Sequence, residues 1–330
     1  MSDELMNTKN SIAVAGCKHT TRELIQGLMR CGYKVDYCIT ISPEKGEEQK
    51  VAGYYDLREF LAENNIEAIT AQKYNLQTTK DKDTIKARNI GILLVMGWQR
   101  LIPDWLLDHI RIGAFGMHGS SKMLPHGRGR SPMNWSLIQG KTQFYTHLFQ
   151  YLPGVDDGPI VGIQKFDITE HDNCLTLHNK NTVSMIKLCE TYLPALFDGT
   201  ATLDPQPKAG VSYYPKREEA DGIIMWNKPA VEIYNLIRAV TKPFPGAFTF
   251  LKGNKLRIWR AIPFDSQFVW NGSEPGQILE VFSDTSFVVK CSDNTILVQE
   301  HEGLTLSQDC VGTVLHSNNI QPKVWHDLPD

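Results

Sequence analysis

Apolar residues arrive in short blocks along the first half of the chain, and the blocks alternate in kind. Ser11 to Cys17 (SIAVAGC) is a compact apolar run closed by Gly16. Thr20-Thr21-Arg22-Glu23 then supplies an N-cap and an early acid ahead of Leu24, Leu28 and Met29, so strand gives way to helix. Lys34 to Ile41 reads as a second strand, and Asp56 to Asn65 as a helix with Leu57, Phe60 and Leu61 at helical spacing. Ile90 to Gly97 (IGILLVMG) is almost continuously apolar, the pattern of a strand covered on both faces of a parallel sheet. IPDWLLDHI follows as a helix and Gly113 to His118 as the next strand. Such alternation predicts a doubly wound, mostly parallel α/β sheet.

The pattern changes after residue 140. YTHLFQYLPG and IVGIQKFDI form a hairpin-like excursion, and Leu175 to Phe197 is a long amphipathic helix. Periodicity then stops while Pro205, Pro207, Gly210 and Pro215 accumulate, which marks a linker. Beyond it PAVEIYNLIRAV is a helix, and LRIWRAIPF, GQILEVF, SFVVKC and TILVQE are short strands, the layout of a small OB-like β-barrel. The expected organisation is a catalytic domain over 1–200, a linker over 201–222 and a β domain over 223–330.

Composition narrows the function classes. With 330 residues there is room for two cores. A formal net charge of -3 lacks the basic field of a polyanion binder, so a nucleic-acid partner is not expected. No apolar run reaches the ~18 residues of a membrane span, and the N-terminus lacks a signal-peptide layout, so a cytoplasmic location is expected. Seven cysteines at scattered spacings read as reduced core residues. There is no phosphate-binding G-x-x-x-x-G-K-[ST] loop, and no H-E-x-x-H or other metal-ligand spacing. The sequence leaves room for a homo-oligomer.

Chemistry concentrates in Phe115 to Trp135, FGMHGSSKMLPHGRGRSPMNW, with Pro153 to Val161, PGVDDGPIV, behind it. His118 closes an apolar strand, where open α/β sheets bind ligands, and an acidic pair lies in the next hairpin. His118 can act as acid and base near neutrality, and a neighbouring carboxylate would hold its ring. Asp-Asp-Gly is also ordinary turn chemistry, and Asp157 fits that role better than Asp156.

These segments resemble the folate-dependent formyltransferases. In that family a strand ends Asn-x-His, a Ser-Leu-Leu-Pro turn and an Arg-Gly-x-x-Pro loop follow, and an Asp-x-Gly comes later. The corresponding residues are His118, the turn from Ser120 to Pro125, Arg128-Gly129-Arg130-Ser131-Pro132, and Asp156 before Gly158. Tyr213 to Trp226 and Ile237 to Phe248 also look like the join to the C-terminal domain of nucleotide-sugar N-formyltransferases and methionyl-tRNA formyltransferase. The sequence departs from the pattern twice: Gly116 stands where the family carries its catalytic Asn, and the turn has two extra residues, best placed at Ser121 and Lys122.

The resemblance implies transfer of a formyl group from 10-formyltetrahydrofolate to the amine of a nucleotide-linked amino sugar. The rival acceptor is methionyl-tRNA, and the rival class is a ligand-binding relative without catalysis. His118 and Asp156 are the implied catalytic pair. Met96, Gly97, Trp98, Gln99 and Arg100, with Pro153, Gly154 and Val155, are the implied folate-binding set, and Ser120, Arg128, Arg130, Arg238 and Lys242 the implied substrate-binding set. A water or a backbone N–H is expected in place of the missing Asn side chain, with the Ser120-Ser121-Lys122 turn and His147 as other candidates.

Overall fold

The structure, a computed structural model, describes residues 10–51 and 53–323. Its first half is a chain of alternating elements: β1 (Ile12–Ala15), α1 (His19–Arg30), β2 (Tyr37–Thr40), α2 (Pro43–Glu48), α3 (Arg58–Glu63), β3 (Glu67–Thr70), α4 (Thr79–Lys86), β4 (Ile92–Val95), α5 (Asp104–Leu107) and β5 (Gly113–Ser120). Then come β6 (Arg128–Gly129), α6 (Pro132–Ile138), β7 (Gln143–Gln150), β8 (Ile160–Asp167) and α7 (Cys174–Asp198). The remainder comprises β9 (Tyr213–Tyr214), α8 (Ala230–Val240), β10 (Ala247–Leu251), β11 (Asn254–Pro263), β12 (Ile278–Val281), β13 (Phe287–Lys290) and β14 (Thr295–Glu302).

Seven strands form one sheet in the order β3-β2-β1-β4-β5-β7-β8. The first five are parallel and β7 runs antiparallel to β5. The expected doubly wound, mostly parallel sheet is present. Every residue of β1 and β4 is buried, because two cores sandwich the sheet. Ile12, Val14, Ile92 and Leu94 point into one core and Ala13, Ala15, Leu93 and Val95 into the other, as the two-residue strand period requires. Strand order reverses between β1 and β4, which opens a crevice at their carboxyl ends, the place where such sheets hold ligands.

A second sheet, antiparallel throughout, runs β10-β11-β14-β13-β12. Register shifts at Ile258 and Arg260 bend β11 as it pairs with β14. β10, AFTFL, was not among the strands expected from the sequence.

Contacts divide the chain into two compact units. Among the described residues, the first holds 10–51, 53–128, 145–166 and 179–212; the second holds 129–144, 167–178 and 213–323. Thus 129–144 and 167–178, which fall in the first domain by sequence, group with the C-terminal unit. The reason lies in α6: the buried Asn134 donates Nδ2–H to the Ala239 carbonyl of α8 at 2.6 Å, and Trp135 donates Nε1–H to the Pro215 carbonyl at 2.9 Å.

Candidate active site

Antiparallel pairing of β5 with β7 builds the site. The register sets Gly116 opposite Phe149 and His118 opposite His147, and the ladder continues with the Tyr151 N–H donating to the Ala114 carbonyl at 2.8 Å. Alternation places Gly116, His118, His147, Phe149 and Tyr151 on one face of the sheet.

His118 is 8% exposed, and both ring nitrogens are engaged. Its Nε2–H donates to the Gly127 carbonyl at 2.7 Å, and Nδ1 lies 3.4 Å from Asp156 Oδ2. The sequence-expected pair is therefore in contact.

Asp156 reaches the histidine from an unusual backbone. Its φ is +52°, in the left-handed region that Asp tolerates better than most residues. The loop is pinned twice. Gln206 donates Nε2–H to the carbonyls of Asp156 and Gly158, both at 2.8 Å, and its own Oε1 accepts from Arg128 Nε and Nη2 at 3.2 and 2.7 Å. At Gly158 a Cβ would come within 1.7 Å of the Gln150 carbonyl oxygen, so only glycine lets the two backbones meet. Asp157 folds back over its loop, where a Cβ on Gly154 would meet its Oδ2 at 1.8 Å. Pro153, Gly154 and Val155 are exposed on the approach to Asp156.

His147 is fully buried and spends both nitrogens on the backbone. Nδ1–H donates to the His118 carbonyl and Nε2 accepts from the Leu124 N–H, each at 3.2 Å. Burial lowers its pKa to about 4, with the neighbouring His118 charge adding a smaller push in the same direction against the opposing backbone bond. It holds the strand and the turn and stays neutral.

The space beside Gly116 is filled by protein. A Cβ built on Gly116 would lie 2.5 Å from Cε1, 2.6 Å from Cζ and 2.6 Å from Oη of Tyr151. The expectation of a water or backbone N–H in place of the missing Asn side chain is therefore wrong: a tyrosine side chain, anchored two residues after the strand partner of Gly116, lies across that position. Its hydroxyl is desolvated and close enough to Asp156 for the carboxylate's charge to act on it, and both effects push the phenol pKa up. Sequence reasoning missed Tyr151, since only the β5–β7 register brings it to Gly116.

Met96 to Arg100 occupies the crevice where the strand order reverses. Thr21 Oγ1–H donates to the Met96 carbonyl at 2.7 Å, and the Gly97 carbonyl accepts from Cys17 N–H at 3.4 Å. Gly97 has a φ of +80°. The Gln99 N–H donates to Tyr74 Oη at 3.0 Å, Tyr74 packs edge-on to Trp98 and the Arg100 guanidinium stands 4.8 Å above the Tyr74 ring. Trp98 Nε1–H is buried with no hydrogen-bond partner among the described residues. A cavity of about 210 Å³ opens beside the loop, lined by Lys45, Gln72, Lys73, Tyr74, Asn75 and Arg100 among others.

The cations expected to face substrate have differing surroundings. Arg128 is buried on Gln206. In the second unit, Arg238 donates to the Thr169 and Asp172 carbonyls and to Asn235 Oδ1 at 2.7 to 2.9 Å. Arg130 and Lys242 are exposed, the latter with Nζ 5.1 Å from the Trp259 ring centroid. Ser120 is buried, its Oγ accepting from the Lys122 N–H at 3.3 Å. Among the described residues no group of three or more His, Cys, Asp and Glu could hold a metal, and no helix is long and apolar enough to cross a membrane.

Several solved structures share the fold. HypX from Aquifex aeolicus, in complex with tetrahydrofolic acid, aligns with a TM-score of 0.63 at 12% identity, over 88% of this chain and 44% of that one. This chain thus spans less than half the length of HypX. An N-formyltransferase from Helicobacter canadensis, in complex with folinic acid and dTDP-3-aminofucose, aligns with a TM-score of 0.62 at 16% identity, over 87% of this chain and 98% of that one. Methionyl-tRNA formyltransferase from Clostridium thermocellum gives a TM-score of 0.54 at 16% identity, over 90% and 99%. At such identities the likeness speaks for the fold alone. The family models go further: the formyl transferase model matches residues 9–186 and the formyl transferase C-terminal domain model matches 216–304. With more than half of its length matched by the first of them, the chain belongs to the formyl transferase family.

Proposed function

We propose that this protein transfers a formyl group from 10-formyltetrahydrofolate to the amine of a nucleotide-linked amino sugar, with His118 and Asp156 as the reacting machinery. The observation that carries the reading is the 3.4 Å contact between His118 Nδ1 and Asp156 Oδ2 at the carboxyl end of β5. In the transfer a C–N bond forms from the acceptor nitrogen to the formyl carbon, the bond to the folate N10 breaks, and one proton passes from the acceptor to N10. Asp156 holds the His118 ring, and Nε2 meets the reacting atoms once it exchanges the Gly127 carbonyl for substrate.

The residues fit the donor. The Met96 to Arg100 backbone lies at the strand-order reversal, where a pterin can exchange hydrogen bonds with it, and the orphan Trp98 Nε1–H lacks an acceptor that a ligand can supply. Arg100, Lys45 and Lys73 around the adjoining cavity suit the carboxylates of a folate tail. Of the cations in the implied acceptor set, Arg130 and Lys242 are exposed. The sugar-nucleotide reading is further supported by the likeness to the Helicobacter canadensis enzyme solved with dTDP-3-aminofucose.

The test is incubation of the protein with 10-formyltetrahydrofolate and a panel of nucleotide-linked amino sugars, following formylated product. His118→Ala and Asp156→Asn are each expected to lower turnover about 100-fold or more while folate binding persists. Wild-type-like turnover in either variant overturns the assignment of the pair.

A further inference from the structure

We infer that Tyr151 is a further catalytic residue, its hydroxyl donating a hydrogen bond to the formyl oxygen in the place of the amide that the family carries on the residue at position 116. The inference rests on the formyl-transfer reading of His118 and Asp156.

Formyl transfer builds negative charge on the formyl oxygen, and a donor aimed at that oxygen is among the largest contributions an active site makes. The residue at 116 ordinarily provides it, one pleat away from His118 on the same face of β5. In this chain position 116 has no side chain, and Tyr151 fills the space that one would take: its Oη is 2.6 Å from where a Cβ would sit. A donor oxygen so close to that Cβ position falls within the reach that an Asn amide has from its own Cβ. A side chain at 116 and the Tyr151 ring in its present place would compete for one space.

Three further facts suit a donor role. The backbone of Tyr151 is fixed by its N–H bond to the Ala114 carbonyl, and its ring packs on Phe149, with the centroids 5.1 Å apart. The hydroxyl lies close enough to Asp156 to feel its charge, and Asp156 is in contact with His118, so the group is beside the proposed reacting centre. Burial and the Asp156 charge both favour the neutral phenol, which keeps its proton available for donation at neutral and mildly alkaline pH. Of the other candidates for that role, His147 is committed elsewhere, bonding backbone through both nitrogens.

Two ligands isolate the role: 5,8-dideazafolate and its stable 10-formyl derivative, titrated calorimetrically into wild type and Tyr151→Phe. The Phe variant keeps the ring, so it is expected to bind 5,8-dideazafolate as wild type does and to bind the 10-formyl compound about 5-fold more weakly, the effect of one lost hydrogen bond. Turnover in Tyr151→Phe is expected to fall about 100-fold, and Gly116→Asn is expected to recover at least tenfold of it when introduced into a Tyr151→Ala background. Equal affinity of wild type and Tyr151→Phe for the 10-formyl compound overturns the role of Tyr151 and leaves the formyl-transfer reading standing. Wild type that binds neither ligand overturns the formyl-transfer reading, and the role of Tyr151 falls with it.

Discussion

At position 116 the backbone would accept any residue, for its φ is not in the left-handed region, and alanine in a strand is ordinarily better than glycine. The obstacle is Tyr151, 2.5 Å from the Cβ that alanine would bring. Gly116→Ala is therefore expected to destabilise the protein by about 1–3 kcal/mol, the usual effect of overpacking, and to become harmless in a Tyr151→Ala background. Urea unfolding of the two single variants and the double variant checks this without reference to activity. His147 makes a separate prediction about pH. Its ordinary pKa of 6.5 falls to about 4 in the fold, so the unfolded chain takes up a proton before the native one as pH drops. The stability linked to its neutral form is complete above pH 6.5 and is lost progressively as pH falls towards 4, by about 3 kcal/mol at the lower end. Urea midpoints between pH 7 and 4.5 should fall less steeply in His147→Gln than in wild type. Parallel slopes would show that folding leaves the His147 pKa unchanged.

Among the elements, the β5 strand and the loop between β7 and β8 carry the proposed chemistry, and their legibility in the sequence differs. His118 and Asp156 could be found because each sits in a local motif that the sequence spells out. Tyr151 could not, because its meaning depends on which residue of β7 faces Gly116, and register is a property of two strands together. Glu67–Thr70 escaped for another reason: Ile69 is its one buried residue, so it shows neither a continuous apolar run nor alternation over several positions. Gln206 likewise carried no signal, lying in the segment read as a linker, yet it ties Arg128 to the Asp156 backbone. Gln206→Ala would free that loop and leave the buried Arg128 guanidinium without its side-chain acceptor. The expected result is a kcat about tenfold lower, with faster amide exchange across 153–158 and little change across β1 and β4. Exchange and kcat both unchanged would mean that Gly158 and the loop's own contacts suffice to place Asp156.

For the whole molecule, the parallel order of the large sheet follows from alternating apolar runs and amphipathic helices, which is why the α/β layout was readable from the sequence. The assignment of 129–144 and 167–178 to the C-terminal unit was not, because Asn134 and Arg238 look like ordinary helix-surface residues until Ala239, Thr169 and Asp172 are seen to accept from them. Charge is the other whole-molecule property that bears on function. The chain has 34 basic against 37 acidic side chains, and Arg128 and Arg238 are already occupied by protein acceptors. A tRNA acceptor needs several phosphate contacts, and each adds about 0.7 to 0.9 to the slope of log affinity against log salt. A sugar nucleotide presents a single diphosphate. The protein is therefore expected to formylate an amino-sugar nucleotide and to leave methionyl-tRNA unformylated, with tRNA binding at 50 mM salt weak and gone by 200 mM. Assaying both acceptors side by side at the two salt concentrations decides the matter, since formylation of the charged tRNA alone would overturn the sugar acceptor while leaving the proposed roles of His118 and Asp156 intact.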